Sequence, residues 1–323
     1  MRIIRSVLAC GLSVLAAQAY AQPADYPNRP VRLVIGFAPG GAADTVARSM
    51  SEAFGKSLGQ TVVVENKPGA GSSIAADYVV KAPADGYTVL IASPSSISIN
   101  PALNPKLSYT AKDLKPVTKI TTSPLVLAVS TKTTIKSVAD LIKEAKAKPG
   151  ELNYATSGNG SAPHLGAALF TLLTGTTMTH IPYRGGAPAI QSVMAGDTDL
   201  SFGTAPSVLA QVDSGKLRAI AVSTSEKSAL VPNLPGMREA GLPDYNLEFW
   251  YGIFVPLNTP EPVVKKIYDA AIFAMQQPNV KAVLAREGTE PALSKSPEDF
   301  GKFLAQDEKF WVKLAKDANI VVN

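Results

Sequence analysis

The sequence predicts an α/β protein of two lobes, each a mainly parallel sheet flanked by helices, that close on a guest between them. Three observations carry this. Apolar strand runs alternate with amphipathic helix runs, the pattern of parallel sheets covered by helices. The strands repeatedly empty into loops of Gly, Ser, Thr and Ala where the next helix begins. Two further apolar runs, residues 123–130 and 249–256, stand where the chain can cross between lobes.

Residues 31–37, VRLVIGF, read as the first strand, and Val46, Met50, Phe54 and Leu58 recur every four residues in the first helix. Between them lies FAPGGAAD, residues 37–44. Gly40 and Gly41 let the backbone approach a guest closely. The first N–H groups of the helix lack internal partners and sit at the positive end of its dipole. Such a place holds an anion through backbone amides. Residues 61–65 form a strand and 66–71 a turn; Ile74, Ala75, Tyr78 and Val79 mark a helix. A strand at 88–93 follows Asp85-Gly86, and 93–101 reads as a polar loop.

The pattern then restarts. A helix at 138–146 and a strand at 152–155 lead into TSGNGSAPH, residues 156–164, and a helix carrying Leu165, Leu169 and Leu172. A strand at 178–183 passes through Arg184-Gly185-Gly186 to a helix with Ile190, Val193 and Met194. A strand at 200–203 passes through 204–206 to a helix with Leu209 and Val212, and 217–223 is a further strand. Residues 225–244 read as a long connection. Two helices end the chain: 260–277, and one entered at Ser296-Pro297-Glu298-Asp299 with Pro first and acids in its first turn. The lobes are expected at 22–122 plus 226–323 and at 123–225, with hinge strands near 123–130 and 217–256. Ligands of open α/β sheets sit at the strand ends that these small-residue loops occupy.

Composition narrows the function. The chain has 323 residues, 46% of them hydrophobic. Arg2 and Arg5, the apolar run 6–17 and Ala19-Tyr20-Ala21 read as an export signal over residues 1–21, cleaved after Ala21; a rival lipoprotein reading rests on Val7 to Cys10. Removing the signal leaves 29 basic and 26 acidic residues, net +3, and takes away the only cysteine. The exported protein then has no disulfide, thiolate nucleophile or Cys ligand, which fits a bacterial periplasm. Its lysines are scattered rather than clustered, so nucleic acid is not a partner. His164 and His180 stand sixteen residues apart without an adjacent acid, which argues against a metal. No nucleophile elbow, phosphate loop or dinucleotide fingerprint occurs. No catalytic residue, cofactor or metal is expected.

In order along the mature chain, YPNRPVRLVIGFAPGGAADTVAR, GQTVVVENKPGAGSSIAA, APADGYTVLIAS, AKPGELNYATSGNGSAPHL, IPYRGGAPAI, AGDTDLSF, GKLRAIAVST and WYGIFVP resemble the substrate-binding proteins of tripartite tricarboxylate transporters, the Bug-type periplasmic receptors. The resemblance implies a two-domain Venus-flytrap of type II that carries an organic carboxylate to membrane permease subunits. It implies ligand contacts from Phe37, Ala38, Gly40, Gly41, Ala42 and Asp44; from Thr156, Ser157, Asn159, Ser161 and His164; from Tyr183 and Arg184; and from Gly203, Thr204 and Ala205. Ser93, Ser95 and Ser96 would form a side wall.

The residues themselves leave several roles open. The loop serines either donate to a carboxylate or cap helices. Asp44 either faces the pocket or steadies the first helical turn. Arg184 either meets a carboxylate or points to solvent, and Tyr183, Trp250, Tyr251 and Phe37 either stack on a ligand ring or pack in the core. Many relatives have Asp where this chain has Gly203, so an amino-acid ligand is disfavoured and a dicarboxylate or aromatic, phthalate-type acid is favoured, tricarboxylates remaining open. Other readings are a binding protein that feeds a sensor kinase and a secreted hydrolase. The receptor is expected to be a monomer.

Overall fold

The computed structural model describes residues 26–320. The expected export signal lies outside them. The chain begins with β1 (Val31–Ile35), α1 (Ala42–Leu58), β2 (Val62–Asn66), α2 (Ser73–Val80) and β3 (Thr88–Ala92). β1 is parallel to both neighbours, with Val31 opposite Val62 and Arg32 opposite Thr88. The four-residue stripe of α1 is core: Val46, Met50 and Phe54 are wholly buried. Each contributes roughly 1.5–3 kcal/mol of apolar burial.

After β3 the structure departs from the expected polar loop. Ser95–Ile99 is a wide helical turn that runs into α3 (Asn100–Leu103). Ile97 and Ile99 enter the core, and Ser95, Ser96 and Ser98 beside them are buried as well. Next comes β4 (Leu114–Ser130), one strand of 17 residues that starts well before the apolar run at 123. Lys115, Pro116 and Lys119 hide its first part by breaking the apolar pattern. Pro116 sits at a shift in register, where a strand tolerates a missing N–H.

The second half contains α4 (Val138–Ala147), β5 (Asn153–Thr156), α5 (Ala162–Thr174), β6 (Thr179–Pro182), α6 (Gly186–Ala195), β7 (Leu200–Thr204), α7 (Ala205–Asp213) and β8 (Leu217–Val222). β9 (Glu248–Pro256), α8 (Glu261–Gln276), α9 (Pro278–Arg286), the short β10 (Glu290–Pro291) and α10 (Pro297–Asp317) follow. Three helices rather than two therefore end the described chain. Pro278, directly after Gln277, breaks one helix and starts the next.

The strands order as β2-β1-β3-β9-β4-β7-β5-β6, with β8 and β10 also on β4. β4 changes partners part-way. Leu114 to Pro124 pair with β9, whereas residues from Leu125 onward pair with β7 and β8. Pairs made by β4 and β9 are antiparallel and the rest are parallel, so the sheet is mixed along its seam. The connection after β8 belongs with the second half. Met237 N–H bonds the Thr224 carbonyl, Val222 N–H bonds Pro235, and the Tyr245 hydroxyl donates to Gly166. No helix among the described residues is long and apolar enough to cross a membrane.

Candidate functional site

A slender cavity lies where the strand ends of the two halves face each other. About 440 Å³ there, part of it continuous with open solvent, is unfilled by protein atoms. The first half supplies Phe37, Gly41, Ala42, Ala43, Ser95, Phe249 and Tyr251. The second supplies Ser157, Ala162, Pro163, Gly186, Ala189, Ile190, Ser201, Gly203, Thr204 and Ser207. None of these side chains is charged.

Four helices begin at this cavity: α1, α5, α6 and α7. Their cap residues are Gly41, Ser161, Gly185 and Thr204, and none makes a side-chain cap bond. Their free amides give the cavity partial positive charge without a cationic side chain. The hydroxyls divide into two sets. Ser201 donates to the Ala155 carbonyl at 2.8 Å, and Thr204 and Ser207 bond each other at 3.0 Å. Ser95 Oγ in the wall and Ser161 Oγ behind it are buried without a protein partner. Burial pushes the Tyr251 phenol well above its ordinary range, so it stays protonated and able to donate.

Of the residues the sequence pointed to, Phe37, Gly41, Ala42, Ser95, Ser157, Gly203 and Thr204 line the cavity. Asp44 does not. Its carboxylate accepts from the Gly40 amide (3.1 Å), Arg48 Nε (2.9 Å) and Asn66 Nδ2 (3.0 Å), so it braces the loop instead of facing a guest. Burial pushes its pKa up, but bonds from Arg48, Gly40 and Asn66 outweigh that and hold the carboxyl below its ordinary value. Gly40 is spent on this brace. Ala38 faces Gly185 across the cleft. Ser93 and Ser96 are buried outside the cavity wall, and Ala205 packs beneath Gly288.

Asn159, Tyr183 and Arg184 line the outer mouth of the cleft, opposite Gly69, Ala70 and Asn104. His164 turns away to a side cavity, and the Thr156 hydroxyl is engaged by His180 of the same cavity. There the His164 and His180 rings stack at 3.8 Å, His180 Nε2 lies 2.6 Å from the Thr156 hydroxyl, and His164 Nδ1 accepts the Gly160 amide at 3.2 Å. Burial, reinforced by His180, holds His164 down to about 3, and burial holds His180 down to about 4. Both rings are neutral braces of the 156–164 loop. Among the described residues no cluster of metal-binding side chains occurs.

Sequence reading missed Ala189, Ile190, Ser201, Ser207 and Phe249. Gly203 has a packing role as well: a Cβ there would stand 2.4 Å from Val208 Cγ2 and 3.1 Å from Ile190 Cδ1. The glycine lets these two side chains close the wall.

A family model described as the tripartite tricarboxylate transporter family receptor matches residues 46–320. The chain belongs to this family. The receptor is 34% identical to protein BugT of Bordetella pertussis over 294 residues, 90% of each chain. It superposes on a protein of R. palustris solved with adipate at TM-score 0.88 and 33% identity, covering 92% of this chain and 99% of that one. MatC of Rhodopseudomonas palustris, solved with malate, gives TM-score 0.85 and 30% identity over 90% of this chain and 99% of that one. The receptor thus has the two-domain periplasmic-binding-protein fold, and its family is one of solute receptors.

Proposed function

We propose that this receptor captures a small dicarboxylate between its lobes and delivers it to the membrane permease of a tripartite transporter. The carrying observation is the convergence of four uncapped helix N-termini on a cavity without charged side chains. Each terminus is equivalent to roughly half a positive charge. Together they suit a dianion, and the Asp44 charge behind one of them is countered by Arg48. Phe37, Phe249 and Tyr251 offer apolar faces to the ligand body, which favours an aliphatic or aromatic, phthalate-type acid over a heavily hydroxylated one. Adipate and malate, seen in two relatives, are the natural first probes.

The ligand contacts in this reading are backbone amides at residues 41–42, 157, 186 and 204–205, with hydroxyl donors Ser95, Ser157 and Tyr251. The lobes hinge where β4 changes partners, at Pro124/Leu125, and where the chain returns between Ser223 and Glu248. This boundary keeps 226–247 with the second lobe because of its bonds there. The chain is exported to the periplasm, cleaved after Ala21 and works as a monomer without catalysis. Thermal unfolding against mono-, di- and tricarboxylates tests the reading. At a hundred times the dissociation constant the true ligand stabilises the fold by ~2.7 kcal/mol; no shift with any of them refutes it.

A further inference from the structure

The two lobes already touch in this structure, and they touch at glycines. A Cβ on Gly185 would lie 3.0 Å from the Ala38 amide nitrogen and 3.2 Å from Ala38 Cβ, in the opposite lobe. A Cβ on Gly71 would lie 2.5 Å from the Asn159 carbonyl oxygen, again across the cleft. A Cβ on Gly158 would lie 3.4 Å from the Gly71 amide nitrogen. Approach this close to rigid backbone cannot be relieved by a side-chain rotation. Neither Ala38, Gly71 nor Gly185 lines the ligand cavity.

We propose that Ala38 and Gly185 form a closure seam: their small size sets how far the jaws come together, and so positions both halves of the anion site without touching the ligand. The inference rests on the clamp reading above. Its signature separates it from ligand contact. A bulkier seam holds the lobes apart and weakens every ligand by the same factor, because the closing step is common to all. A contact residue changes the ranking among ligands instead.

The cleaner variant is Ala38→Val. Residue 38 has no positive φ, whereas Gly185 has φ +146°, so Gly185→Ala would add backbone strain to the steric effect. Titration calorimetry with adipate, malate and phthalate should show Ala38→Val weakening each bound acid at least tenfold and by a common factor, with little change in the unfolding temperature of the free protein. Binding within twofold of the parent, or loss confined to one acid, overturns the seam. A ligand-independent arm uses the paired changes Ala38→Cys and Gly185→Cys in a chain starting at Gln22, which has no other cysteine. Mild oxidation should give an intramolecular disulfide, since each closing motion brings the two positions together. Failure to cross-link in a pair variant that unfolds at the parent's temperature, and so tolerates the strain at Gly185, overturns the seam. If the parent binds none of the acids yet the pair cross-links, the seam stands and the proposed ligand class falls.

Discussion

Five α-helix N-caps among the described residues are serine or threonine; Ser72 of α2, in left-handed backbone, makes no cap bond, and the other four behave in two ways. Ser137 and Ser296, away from the cavity, accept bonds from Asp140 N–H and Asp299 N–H, each at 3.1 Å. Ser161 and Thr204, at the cavity, cap nothing: the first has no partner, and the second bonds the Ser207 hydroxyl. The chemistry is the same and the use differs. Helices α4 and α10 each satisfy one of their own end amides and gain stability. The cavity helices leave their ends without side-chain caps, open to the anion of the proposed reading.

The largest expected effect comes from erasing this difference. Gly41 has an ordinary φ of −91°, so Gly41→Asp can cap α1 with its own carboxylate. Carboxylate binding should fall at least a hundredfold while the unfolding temperature holds or rises; retained binding in calorimetry would remove α1 from the site. Ser95→Ala comes next. It deletes an unpartnered buried hydroxyl, so the free protein should be no less stable, while ligand affinity drops about tenfold, the scale of one hydrogen bond to a charged group. Ser137→Ala and Ser296→Ala should do the reverse, each costing about 1 kcal/mol of stability in denaturant unfolding and leaving affinity unchanged.

The smallest effect concerns acid. His164 and His180 are held neutral in the fold, whereas unfolded histidine titrates near 6.5. The unfolded chain therefore takes up protons first, so their contribution is complete above pH ~6.5 and is lost as pH falls towards about 4 and then 3. Protonated His164 can no longer accept the Gly160 amide. His164→Asn keeps an acceptor that does not titrate, and should flatten the fall in unfolding temperature between pH 6.5 and 4. An unchanged slope would locate the acid sensitivity elsewhere.

The strand, glycine loop, helix units were legible because each is local: VRLVIGF, FAPGG and the Val46–Leu58 stripe lie within one stretch of chain. Ser95–Ile99 was not, since its serines are buried only by elements distant in sequence. The opening of β4 was masked by Lys115, Pro116 and Lys119, which lie at a seam instead of in a uniform core. The cavity followed the same division. Gly41, Ser157 and Thr204 could be named from their loops. Ile190, Ser201 and Phe249 depend on strand register and on how the lobes meet. The right loops also carried residues that turn elsewhere, as Asp44 and His164 do, because side-chain direction is set by bonds to Arg48, Asn66 and Gly160 that spacing does not reveal.

A crystal structure of the receptor holding adipate or phthalate tests the central claim most directly. Carboxylate oxygens should lie about 3 Å from backbone N–H groups at the starts of helices from both lobes, with Ser95 Oγ now paired. A ligand held instead by Arg184 at the mouth, with the helix starts dry and unengaged, would contradict it.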